Sequence, residues 1–165
     1  FDSPLRELEY ATFTFELIMD QGAYFEIKRH RMMTQTPQAL TTMLGYALPK
    51  TIVKAGFEES FHYAMKLAHE TYLEIAEWNP FVASYVVPNG YNRRLLFRAN
   101  LRSLDHLINL RSAQNAHFSV RRIAQKMVEQ ISLVNPILSS WIRRNQNETW
   151  QSVENDYFSE TAIHP

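Results

Sequence analysis

Between Ala11 and Met19, the apolar side chains Phe13, Phe15 and Leu17 alternate with Thr12, Thr14 and Glu16. A period of two puts every second side chain on one face, so this stretch predicts a half-buried strand. Gln21–His30 changes to an apolar side made by Tyr24, Phe25 and Ile27 and predicts a helix. Pro37 interrupts the polar loop that follows Arg31, and Gln38–Tyr46 reads as either a short helix or an irregular segment. From Thr51 to Trp78, Phe57, Phe61, Ala64, Ala68, Tyr72 and Ile75 recur at helical spacing and predict the longest helix of the chain. Asn79-Pro80 ends it, and Pro88-Asn89-Gly90 marks a turn. Tyr91–Asn100 sets Tyr91, Leu95, Phe97 and Ala99 against Asn92, Arg94 and Arg98, a second strand. Two helices follow, Leu101–Arg111 with Leu104, Leu107 and Ile108 inward, and Gln114–Ile131 with Ala116, Val120, Ile123, Ala124 and Met127 inward. Asn135-Pro136 closes the second, and Ile137–Arg143 adds a last helical turn or two. The pattern predicts an α+β domain over 1–144 and a polar C-terminal tail over 145–165, expected to be peripheral or disordered. There is no internal repeat and no low-complexity tract.

Composition narrows the class. The 165 residues are enough for one domain, and 45% hydrophobic with 21% charged residues is ordinary for a soluble globular protein. No apolar run approaches the roughly 18 residues a membrane span needs. The chain starts at Phe1 with neither a Met nor a signal-peptide pattern, which fits an excerpt of a longer protein in a cytoplasmic setting. With no Cys, disulfides, thiolate catalysis and zinc–thiolate sites are excluded for this chain. With only 4 Gly and no glycine-rich loop, a Rossmann or P-loop phosphate site is not expected.

Net charge is zero, but the charges are segregated. From Asn79 to Val128 the only acid is Asp105, whereas Arg93, Arg94, Arg98, Arg102, Arg111, Arg121, Arg122 and Lys126 all lie in that window. A basic half on a neutral chain points to an anionic small molecule more than to bulk nucleic acid. The predominance of Arg favours forked contacts to phosphate. Arg102 and His106 share a helix face. Arg111 falls about half a turn away at 3.6 residues per turn, which predicts that it faces a different ligand. Asn100 is the expected N-cap of that helix, whose start offers N–H donors to an anion. Arg29-His30-Arg31 forms a second cationic cluster. His62 and His69, two turns apart with Glu58 one turn earlier, lack the i, i+4 His pair of a helical metal site and read as ordinary histidines. His117 reads as structural.

Taken together, Phe13-Thr14-Phe15 before Arg29-His30-Arg31, Val86-Val87-Pro88, Asn100-Leu101-Arg102-Ser103-Leu104 and Leu110-Arg111 resemble the flavin-dependent thymidylate synthases. The resemblance runs from about Leu8 to Ile142 and needs no gaps among these motifs. It implies a small antiparallel sheet packed with several helices. It also implies an FAD site made by Arg29, His30, Arg31, Asn100, Arg102, His106 and Glu9, with Arg111 as a substrate contact. Family active sites form between subunits, so a homotetramer, or a pseudo-tetramer with a second copy of the domain, is implied. The family's reaction methylates dUMP to dTMP with methylene-tetrahydrofolate and NADPH.

The motif after Arg31 departs from the family pattern R-H-R-x-x-S-x-N-E-x-S-x-R-Y. Thr34 stands for its first Ser, Thr36 and Pro37 for Asn-Glu, Ala39 for the second Ser, and Thr41 and Thr42 for Arg-Tyr. Ser84 stands for a further nucleotide Arg, and Glu26 for a Gln. The sequence therefore predicts an FAD-binding domain with a degenerate nucleotide site. The alternatives are an active synthase in which the Thr34–Thr42 loop supplies substitute contacts, a nucleic-acid-binding module using the Arg93–Arg122 patch with Tyr91, Phe97 and Phe118, and a structural interaction domain without a ligand.

Overall fold

A computed structural model describes residues 4–164. Two long strands form its centre. β1 (Thr12–Asp20) runs antiparallel to β4 (Asn92–Asn100), with Thr12 opposite Asn100 and Asp20 opposite Asn92. The short strand β2 (Thr34–Pro37) pairs with the other side of β4, so the order is β1-β4-β2. Pro37 thus ends an edge strand, where a residue without an N–H is tolerated. The expected α+β class with a small antiparallel sheet is what the chain adopts.

The alternation read from sequence sets which face is covered. Leu17 and Met19 of β1, with Leu95, Phe97 and Ala99 of β4, point into the main core. Helices α5 (Leu101–Arg111) and α6 (Phe118–Val134) cover that face with Leu104, Leu107, Ile108, Val120, Ile123 and Met127. Thr12, Thr14, Glu16 and Ile18 face outward. A smaller core joins Met65 and Tyr72 of α3 (Glu58–Trp78) to Tyr46, Ala83, Val87 and Tyr91. Tyr91 donates from its hydroxyl to the Met65 carbonyl at 2.8 Å, which satisfies a fully buried phenol. No described helix is long and apolar enough to cross a membrane.

Several boundaries differ from expectation for local reasons. The helix predicted over Thr51–Trp78 is two helices, α2 (Lys50–Lys54) and α3. Gly56 sits at φ 75° between them, while Phe57 N–H donates to the Ile52 carbonyl and Gly56 N–H to that of Val53. This left-handed glycine stop ends α2, and Phe57 is left exposed rather than inward. The first helix, α1 (Gln21–Ile27), is capped by Asp20, which accepts from Ala23 N–H at 2.8 Å, and stops before Arg29. The helix predicted from Gln114 starts at Phe118 under a His117 cap, which gives that histidine its structural role. Asn79 caps the one-turn α4 (Pro80–Ala83), and Asn135 caps α7 (Pro136–Ser139).

The segment after Asn145 is not a loose tail. It forms α8 (Trp150–Tyr157), whose Val153 is fully buried, and β5 (Phe158–Ile163), which pairs with β3 (Tyr46–Pro49). Thus Gln38–Tyr46 leads irregularly into a strand and contains no helix. Gly45, at φ 67°, permits the close approach of β5, since a side chain there would collide with the Ile163 carbonyl. Arg121 and Arg122 of α6 bind the C-terminal segment. Arg122 pairs with Glu154 at 3.3 Å and lies over the Phe158 ring, and Arg121 lies 3.1 Å from Glu148 and over the Tyr157 ring.

Candidate functional site

Arg29, His30 and Arg31 occupy the turn between α1 and β2, and Arg102 and His106 lie on the solvent side of α5. The Arg6–Glu9 3-10 turn closes the third side, with Glu9 Oε1 2.6 Å from Arg102 Nη1. These elements enclose one cavity of about 690 Å³. Glu9, Arg29, His30, Arg31, Asn100, Arg102, His106 and Arg111 all line it. Residues from three separated stretches of the chain, singled out together from sequence, therefore meet around a single space.

Arg102 and Arg111, expected to point to opposite sides of α5, line the same cavity. On a helix at about 100° per residue, Ser103, His106 and Leu110 fall between the directions of those two arginines. The cavity lies along that middle stripe, and the two long side chains close on it from opposite flanks. The expectation of free donors at the start of α5 is also revised. Asn100 caps the helix as predicted, accepting from Ser103 N–H at 2.8 Å, and Leu101 N–H donates to the Ala11 carbonyl. Two first-turn donors are thus already engaged, and cationic side chains carry most of the positive potential.

Around Arg111 the contacts are close. Its Nη1 is 2.5 Å from Glu26 Oε2, and its Nε donates to His30 Nε2 at 3.2 Å. The other Glu26 oxygen is 3.3 Å from Arg29 Nη1. His30 packs edge-on to His106, with ring centroids 5.7 Å apart. Burial, then the Arg111 guanidinium and His106, push the His30 pKa down to about 4, against a smaller opposing pull from Glu26. His30 is therefore neutral near pH 7 and serves as an acceptor for Arg111.

Sequence reasoning missed part of the wall. Arg143 lines the cavity and is fixed by Asp105, which is 2% exposed and accepts from both the Arg143 backbone N–H and its guanidinium. Nothing in sequence linked Arg143 to the site, since that link is made by a loop folding back across α5. Met32, Met33 and Leu110 add apolar surface.

Apart from Glu26, which pairs with the lining residue Arg111, the residues that depart from the expected pattern do not line the cavity. Thr34 and Thr36 are in β2, and the buried Thr42 hydroxyl bonds to His69 Nδ1 at 2.8 Å. His62 Nδ1 lies 2.8 Å from the Tyr46 hydroxyl. Both histidines thus have side-chain partners from the irregular segment and β3. The Arg93–Arg122 patch is not one continuous solvent surface, although Arg98 is exposed and Arg94 partly so. Arg93, Arg121 and Arg122 are buried, Tyr91 and Phe97 are core residues, and Arg93 donates to Gln21 and to the Gln38 carbonyl. Two of its three rings and three of its arginines are thus spent inside the fold, which weakens the basis for a stacking platform.

Residues 3–137 match the thymidylate synthase complementing protein family. The chain is 41% identical over 138 residues to a UPF0159 protein of Chlamydia muridarum, covering 84% of this chain and 26% of that protein. A UPF0159 protein of Thermoplasma acidophilum is 34% identical over 140 residues, covering 84% of this chain and 28% of its own length. The chain thus spans about a quarter of the length of these relatives. A flavin-dependent thymidylate synthase of Saccharolobus solfataricus is 27% identical over 171 residues, covering 91% of this chain and 65% of that protein. By the extent of this match, the chain belongs to the thymidylate synthase complementing protein family.

Proposed function

We propose that this chain is an FAD-binding domain of the family whose nucleotide site has degenerated. The observation that carries the reading is the single cavity on which Glu9, Arg29, His30, Arg31, Asn100, Arg102 and His106 converge. Its volume falls within the range of about 300–1,000 Å³ usual for small-molecule sites. The donor set fits a dinucleotide: arginines for the pyrophosphate, and Met32, Met33 and Leu110 for an apolar ring. Arg102 is aimed by Glu9, and the neutral His30 leaves the positive charge to the arginines. When bound, FAD would supply hydride and electron-transfer chemistry.

Loss of the nucleotide site is supported by the residues after Arg31. A strand takes up Thr34–Pro37, and the Thr42 hydroxyl is committed to His69. Arg111, the remaining expected nucleotide contact, is already paired with Glu26. Methylation of dUMP with methylene-tetrahydrofolate and NADPH is therefore the less favoured reading. Assembly with a second copy of the domain is supported by exposed Tyr63, Leu67 and Trp78 on α3 and by Phe81 and Tyr85 beyond it. Titrating FAD into the protein and following quenching of flavin fluorescence tests the proposal. Saturable quenching supports it, and fluorescence equal to that of free FAD throughout refutes it.

A further inference from the structure

Four arginines of the cavity wall, Arg29, Arg102, Arg111 and Arg143, share three carboxylate partners in the chain, and the partnerships differ in kind. Glu9 meets Arg102 at an accessible rim, where both side chains are more than a third exposed. Asp105 holds Arg143 through its backbone as well as its guanidinium, a structural clasp. Glu26 instead bridges two arginines, with one oxygen on Arg29 and the other on Arg111. The Arg111 side chain is only 14% exposed.

The way Arg111 is held bears on what it can bind. A guanidinium grips phosphate best with two parallel N–H groups, using either its Nε edge or the edge between its two terminal nitrogens. Here Nε is committed to His30 and Nη1 to Glu26. One atom of each edge is thus already engaged, so a phosphate using either fork competes with His30 or Glu26. A phosphate arriving at Arg111 meets the Glu26 carboxylate as a like charge and must displace an existing partner to use a full fork.

We infer that Glu26 is the specificity-determining residue at the Arg111 end of the cavity: its carboxylate takes the place of a ligand phosphate, so this end accepts a neutral hydrogen-bonding group and rejects a phosphate monoester. This rests on reading the cavity as a ligand site. Glu26 acts through charge and geometry and takes no part in bond making. Replacing it by the isosteric amide removes the negative charge and leaves only a weaker, neutral acceptor beside Arg111.

The test is a titration of inorganic phosphate, followed by the Arg111 side-chain Nε–H resonance and by calorimetry, at constant ionic strength and pH 7.5. The same samples are scored separately for bound flavin by absorbance. Glu26→Gln should bind phosphate at least tenfold more tightly than the wild type, and adding Arg111→Ala should remove the gain. If the amide variant does not fold by circular dichroism, Glu26→Ala serves with the same expectation. Equal phosphate affinity in wild type and variant, or a gain that persists without Arg111, would overturn the inference. A protein that shows the phosphate gain but takes up no flavin refutes the flavin reading alone. A flavin-binding protein without the gain refutes only the role of Glu26.

Discussion

Arg111 Nε donates to His30 Nε2 across 3.2 Å, and this bond needs an imidazole nitrogen that carries no proton. The folded protein holds the His30 pKa at about 4, against 6.5 for the free side chain. Between those values the unfolded chain binds more protons than the folded one. Stabilisation from neutral His30 is thus complete above about pH 6.5 and is lost as the pH falls toward 4. Because the ring is partly exposed, screening reduces the effect to on the order of 1 kcal/mol. Urea midpoints of wild type and His30→Gln, compared across pH 4–7.5, should differ in slope within that window. Parallel curves would show that the imidazole is not held neutral.

Asp105 is buried under the loop that brings Arg143 to the cavity. Asp105→Ala removes an acceptor for one backbone N–H and one guanidinium, and should cost about 2–3 kcal/mol in chemical denaturation. Arg143→Ala keeps the backbone bond and should cost less than half as much. Equal losses would mean that the side-chain pair alone anchors the loop.

Glu154 neutralises both Arg122 and Lys126, and the Arg122 side chain is 7% exposed. Glu154→Ala strips a buried guanidinium of its paired carboxylate and leaves Asp20 as the remaining opposite charge, at a cost of about 3 kcal/mol. Thermal unfolding should fall by roughly 10 °C for a chain of this size. A shift of one or two degrees would mean that solvent reaches Arg122 freely.

Phe97 is fully buried in β4 between β1 and β2, opposite Phe15 on β1. Phe97→Ala should cost about 3–5 kcal/mol, from lost burial and the cavity left behind. Leu96→Ala, one residue away on the exposed face, should change stability by less than about 1 kcal/mol. A reversed order in denaturation would contradict the assignment of the two sheet faces.

The fold was legible where a period is long and regular. Thr12–Asp20, Asn92–Asn100 and Leu101–Arg111 fall within about a residue of their expected spans because alternation or helical spacing repeats several times in each. The errors lie where one residue or a distant partner decides. Gly56 splits a helix whose apolar spacing continues across it. The tail read as polar because its order comes from pairing β5 with β3 and from cationic side chains of α6, and neither leaves a hydrophobic period. Within the site, the gathering of Arg29, His30 and Arg102 was legible from motif spacing, whereas the placing of Arg111 on the same cavity and the Glu26–Arg111–His30 arrangement were not. Glu26 and His30 lie at the end of α1 and in the turn after it, and only the reach of the Arg111 side chain from α5 sets which charges meet.

The absorbance spectrum of the purified protein tests the central claim most directly. A flavin domain predicts a yellow protein with near-stoichiometric flavin absorbance, lost when Arg29→Ala is combined with Arg102→Ala while the fold is retained by circular dichroism. A colourless protein whose spectrum is unchanged after incubation with FAD and desalting would contradict it.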